Sequence, residues 1–161
     1  MAYLNEIQID RDLLLEFFLH FSRFEFALKT AGFAHGDLDS VHPSWDDFAV
    51  SIRDQFDKSV NTKLLEACNY ILDDPPRKQV LLNGGLAWKT QAQPLGQSEV
   101  EFLLRMVRCI RNNLFHGGKH NVALHEDRVR SETLLRNSLV ILDECLRLSP
   151  DVKRAFDGAV I

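Results

Sequence analysis

The stretch SEVEFLLRMVRCIRNNLFHGG, from Ser98 to Gly118, decides the reading of this chain. Placed at about 100° per residue, Val100, Leu103, Leu104, Val107, Ile110 and Leu114 gather into one stripe, the pattern of a helix with a buried face. Ser98 is placed to cap its start and Gly117 to end it. Arg111 falls inside the stripe, close to Val100, Leu104 and Val107, and Arg105, Arg108 and Asn112 flank it on one side. A guanidinium cannot shed its charge, so burying it without a partner is very costly. Either a carboxylate meets Arg111 or that face opens onto a polar cleft. Glu25, in FSRFEFALK, is the candidate partner; its other use is an i,i+4 pair with Lys29.

The flanking segments are also helical in pattern. DRDLLLEFFLHFSRFEFALKTAGF has Asp10 as N-cap, Gly32 as stop, and Phe17, Phe21, Phe24, Leu28 and Ala31 at helical spacing. Leu14, Phe18 and Phe26 widen that stripe, so this helix is expected either to lie between several partners or to pack on a second chain. In HPSWDDFAVSIRDQF, Ser44 with Asp47 three residues on resembles a capping box and starts a helix near Trp45. VNTKLLEACNYILDDPP is a helix capped by Asn61 and broken at Pro75-Pro76. QVLLNGGLAWKT sets Asn83-Gly84 between two apolar runs, the signature of a small hairpin or long ordered loop. DRVRSETLLRNSLVILDECLRL is a last helix, stopped by Ser149-Pro150, with a frayed or locally packed tail beyond it. The expectation is one all-α domain over residues 1–161, a helical bundle with one small hairpin or loop insert.

Composition agrees. A chain of 161 residues, 45% of them hydrophobic, suits one domain with a sizeable core. The formal net charge of −4 argues against a wholly basic nucleic-acid coat but leaves room for a local basic patch. The three cysteines, Cys68, Cys109 and Cys145, sit in apolar contexts without metal spacing, as reduced core residues of a cytoplasmic protein would. MAYLNEIQID lacks the basic-then-apolar pattern of a signal peptide, and no apolar run approaches the ~20 residues of a membrane span. His35, His42 and His125 fall in expected loops and form no metal pattern, and no Gly-rich phosphate loop or Ser-His-Asp order is evident.

His116 ends the decisive helix just before Gly117-Gly118. Helix-end carbonyls favour a cation there, which raises an imidazole pKa and suits it to acid–base work. A plain capping role is the simpler alternative. Asn112, four residues earlier, shares its face, whereas Arg111 points about 140° away. One straight helix does not aim Arg111 and His116 at one phosphate; two paired copies of it do.

RNNLFHGG resembles the Arg-x(4–6)-His motif of HEPN-domain proteins, in which a polar residue, often Asn, commonly follows the Arg. The resemblance runs from about Asp10 to Leu148: an aromatic-rich first helix carries an acidic residue, the motif ends a late helix, and one more helix follows. FSRFEFALK with RCIRNNLFHGGK also resembles small stand-alone bacterial members. The resemblance implies a four- to five-helix bundle that forms a homodimer, with Arg and His of both protomers lining one cleft. It implies a metal-independent endoribonuclease of the kind found among toxins and phage-defence proteins, with RNA as substrate, an antitoxin protein as possible partner and no cofactor. Arg111, Asn112 and His116 are then the catalytic positions. Arg108, Lys119 and His120 are placed to hold flanking phosphates, and Glu25 to position or neutralise Arg111. The other implication, from catalytically dead members, is a module that binds a nucleotide, RNA or protein without cutting.

Overall fold

The computed structural model describes residues 9–115 and 128–158. Asp10 starts helix α1 (Arg11–Thr30): its carboxylate accepts the Asp12 and Leu13 backbone N–H groups at 2.9 and 3.1 Å. Gly32, at φ 92°, turns the chain out of it. Strands β1 (Ala34–Gly36) and β2 (Val41–Pro43) pair antiparallel and lead into α2 (Trp45–Ile52). A single 3-10 turn at Lys58–Val60 precedes α3 (Thr62–Asp73), which Asn61 caps by accepting the Leu64 N–H at 2.8 Å and which ends ahead of Pro75-Pro76. Strands β3 (Lys78–Leu82) and β4 (Gly85–Lys89) form a second hairpin. Helices α4 (Glu99–Phe115), α5 (Arg128–Leu148) and α6 (Pro150–Phe156) follow. Ser98 and Glu101 cap α4 reciprocally: the Ser98 N–H donates to the Glu101 carboxylate at 3.0 Å, and the Glu101 N–H to the Ser98 hydroxyl at 3.4 Å.

The chain is thus mostly helical with two small antiparallel sheets rather than strictly all-α. The hairpin expected at Asn83-Gly84 is present, and both turn residues have positive φ, 50° and 79°, as a type I′ turn requires. The β1–β2 hairpin was not expected. Nor was α6: Ser149-Pro150 stops α5, but Pro at the first helical position also starts a new helix, because its fixed φ suits that place and its missing N–H is not needed there. The core lies where helices α1 to α6 meet, with Leu64, Ala67, Cys68 and Ile71 as the contribution of α3. Phe24 is fully buried, 5.1 Å from the Trp45 ring, 5.6 Å from Phe48 and 6.5 Å from Phe156. All three cysteines are buried and unbridged; burial pushes the Cys68 thiol up to about 12 and raises those of Cys109 and Cys145 as well, so none offers a ready thiolate. No helix among the described residues is long and apolar enough to cross a membrane.

The wide apolar surface of α1 is only half used by the chain's own helices. Leu13, Phe17, Phe21, Phe24 and Leu28 are buried, whereas Leu15, Phe18, Leu19 and Phe26 are 43–61% exposed. They recur at i, i+3, i+4 and i+11, a second stripe on the outer side. The two faces give opposite expectations for one type of substitution. Phe24→Ala should cost about 3–5 kcal/mol of unfolding free energy through the cavity it opens, while Phe26→Ala, two residues on, should stay within about 0.5 kcal/mol in the isolated chain. Urea unfolding followed by circular dichroism measures both.

Candidate functional site

Helix α4 carries arginines at positions 105, 108 and 111, each three residues from the next and each only partly buried. That spacing sets like charges side by side along one flank, which weakens a helix slightly. The side chains then diverge. Arg105 lies over the Phe102 ring at 5.1 Å. Arg108 reaches Asp46 in the first turn of α2 at 3.2 Å, an open pair in which the Asp46 side chain is 92% exposed. Arg111 spreads between two rings, 5.6 Å from the Phe21 centroid and 5.3 Å from that of Phe115, and donates to the Asn112 Oδ1 at 3.0 Å. Among the described residues no carboxylate lies within ion-pair distance of Arg111, and Asp46 is the one acid that reaches any of the three.

Glu25 is used elsewhere, paired with neither Arg111 nor Lys29. It accepts the indole N–H of Trp45 at 3.0 Å. Trp45 is almost completely buried, and a buried indole N–H needs an acceptor. Its ring in turn stacks on Phe21 at 5.2 Å, the ring beneath Arg111. Glu25 is thus linked to Arg111 only through the successive contacts of Trp45 and Phe21, and is not its counter-charge. Nothing in the WDD or FEF sequence signals this bond, because it joins residues twenty positions apart on different helices.

The helix thus brings Arg111 and Asn112 into direct contact, with Arg108 one turn earlier on the same flank. His116, Lys119 and His120 lie outside the described residues. The sequence reading also missed the aromatic surround. Phe115 packs on Phe18 of α1 at 5.5 Å, and both rings are close to half exposed, so Arg111 sits at the rim of the outer α1 stripe. Two concave regions lie apart from it. One, of about 430 Å³, is lined by Trp88, Ile110, Asn113, Arg130 and neighbours; the other, of about 490 Å³, by Lys58, Asn69, Gln91, Glu99 and neighbours. Neither includes Arg111 or Asn112. The candidate site in the isolated chain is a cationic, aromatic-edged surface.

Stability measurements separate this arrangement from a buried ion pair. Arg111→Ala should cost about 1 kcal/mol, the scale of lost ring contacts, and not the ~3–5 kcal/mol of a severed buried pair. Glu25→Gln keeps an acceptor for Trp45 and should change stability by less than about 1 kcal/mol, whereas Glu25→Leu orphans the indole and should cost about 1–3 kcal/mol. Denaturant melts of the three variants check this; a loss above ~3 kcal/mol for Arg111→Ala would show that an acid partners it.

Compared with family models, with curated proteins and with solved structures, the chain matches none.

Proposed function

We propose that the chain is a HEPN-type, metal-independent endoribonuclease, a toxin or phage-defence RNase, that works as a homodimer of helical bundles in the cytoplasm. One observation carries the reading: Arg111, set among the buried positions Leu104 and Val107 of its helix, has no acid partner among the described residues and is only partly buried, beside Asn112 and Arg108. A purely structural arginine at that position calls for a counter-charge. An arginine kept available for phosphate calls for this arrangement.

In the proposed reaction the RNA's own 2′-oxygen attacks the adjacent phosphorus. A base takes the 2′-hydroxyl proton, the bond to the 5′-oxygen breaks, and an acid returns a proton to that leaving oxygen. The products are a 2′,3′-cyclic phosphate and a free 5′-hydroxyl. His116 is assigned the proton transfers by the motif resemblance. Arg111 offers two parallel N–H donors to the crowded phosphorane, where negative charge accumulates. Asn112, already bonded to Arg111, fixes the guanidinium's orientation, and Arg108 holds a neighbouring phosphate, together with Lys119 and His120.

The dimer is supported by the outer stripe of α1. Leu15, Phe18, Leu19 and Phe26, continued by Phe115, form the kind of contiguous apolar surface that monomers rarely expose. A two-fold pairing across it sets two copies of Arg111 along one seam, which answers the 140° divergence that about five helical positions impose between Arg111 and His116.

Untagged protein incubated with mixed RNAs in EDTA should leave cyclic-phosphate ends. Arg111→Ala and His116→Ala should each lower cleavage by at least ~100-fold, and Arg111→Lys should stay well below wild type because a point charge lacks the planar fork. Cleavage only on adding a divalent metal would overturn the mechanism; RNA bound but uncut would leave a binding module. Light scattering at micromolar concentration should give twice the chain mass, and Phe18→Asp should halve it. A monomeric wild type would remove the paired site.

A further inference from the structure

The geometry points to a two-histidine metal site on the β1–β2 hairpin, suited to a late first-row divalent ion: Zn2+, Ni2+ or Cu2+. His35 and His42 are seven positions apart in the sequence, a spacing with no metal-site meaning, but the hairpin makes them direct cross-strand partners. Their ring centroids lie 5.8 Å apart at an interplanar angle of 34°, and both residues are exposed. Imidazole nitrogens bind these ions at ~2.0–2.1 Å, so two that share one ion sit about 3 Å apart. With centroids at 5.8 Å, chelation requires the two exposed side chains to rotate toward one another. Imidazole is a preferred ligand of these metals. No third His, Cys, Asp or Glu joins the pair among the described residues, so water completes the coordination.

What makes the pair a chelate is that the backbone beneath it is fixed on both sides. Below, the Ser44 N–H donates to the Phe33 carbonyl at 2.8 Å, and Phe33 is anchored in the core against Phe48 at 5.4 Å. Above, the Asp37 N–H donates to the Ser40 carbonyl at 2.9 Å, while the Asp37 carboxylate accepts the N–H groups of Asp39 and Ser40. Alternation of the ladder then leaves Pro43 at a position that needs no N–H, opposite Ala34. Gly36 closes the hairpin at φ 150°, where an added Cβ would lie 2.1 Å from the Ser40 carbonyl oxygen. Only glycine permits this approach, and it accompanies the register that makes the two histidines cross-strand partners. A backbone already fixed leaves only the two side chains to be ordered on binding, which lowers the cost that a two-ligand site must meet.

Calorimetric titration of the untagged, chelator-treated protein with Ni2+ and Cu2+ tests the site. Wild type should bind one equivalent per chain, Cu2+ more tightly than Ni2+. His35→Asn and His42→Asn should each weaken binding by about tenfold or more, with both exposed substitutions leaving the melting temperature in metal-free buffer unchanged. Substoichiometric Cu2+ should broaden the ring-proton NMR signals of His35 and His42 first, a readout that needs no variant to fold. Equal binding by wild type and the double variant, or broadening of other histidines alone, would overturn the site. The result is independent of RNA cleavage, since no residue of the pair belongs to the Arg111 surface.

Discussion

The hydrogen bond from the Trp45 indole to Glu25 governs both the packing and the electrostatics of this protein. Trp45 is only 3% exposed, lies parallel to Phe24 within 2° and stacks on Phe21, so its one polar atom has no route to water. Glu25 meets it across the α1–α2 boundary at 3.0 Å. That bond seats α2 on α1, brings Asp46 into the reach of Arg108, and fixes the Phe21 ring beneath Arg111. It also engages Glu25, which is therefore not the counter-charge of Arg111. The aromatic core thus satisfies its buried indole N–H with the same acid that leaves Arg111 without an acid partner on α1.

Helix α4 carries two opposed requirements. Its core face, from Val100 to Ile110, fixes it among α2, α3 and α5. Its arginine flank repels itself and is offset by rings more than by acids, a local cost of the sort that functional surfaces impose. The reciprocal cap of Ser98 and Glu101, with Glu99 beside it, compensates at the other end of the helix, where negative charge complements the exposed N–H groups.

What the sequence discloses follows from how local each cause is. Asp10, Asn61, Ser98 and Gly32 act within a turn of themselves, and the helix limits they mark were legible. So was the Asn83-Gly84 turn. Hairpin β1–β2 was not, because three-residue exposed strands carry no apolar alternation; their register comes from the close approach of Gly36 to Ser40, a fact of three dimensions. Helix α6 was hidden because one proline both ends and begins a helix. In the candidate site, the anomaly of Arg111 was plain from the 3.6-residue period. The use of Glu25 depended on a tryptophan on another helix, and no period reports that.

Hairpin β3–β4 has a consequence for the protein in crowded solution. Among the described residues it is a sheet of two strands, and no third strand pairs with either outer edge. Near its tip Leu81 faces Leu86, 74% and 76% exposed, and at its open end Lys78 faces Lys89. A free edge with an apolar tip is a template on which a second chain can add a strand. The paired lysines make that addition bring four positive charges together when two hairpins meet in register. The defence against edge-to-edge growth therefore rests on two surface lysines and on the shortness of the strands.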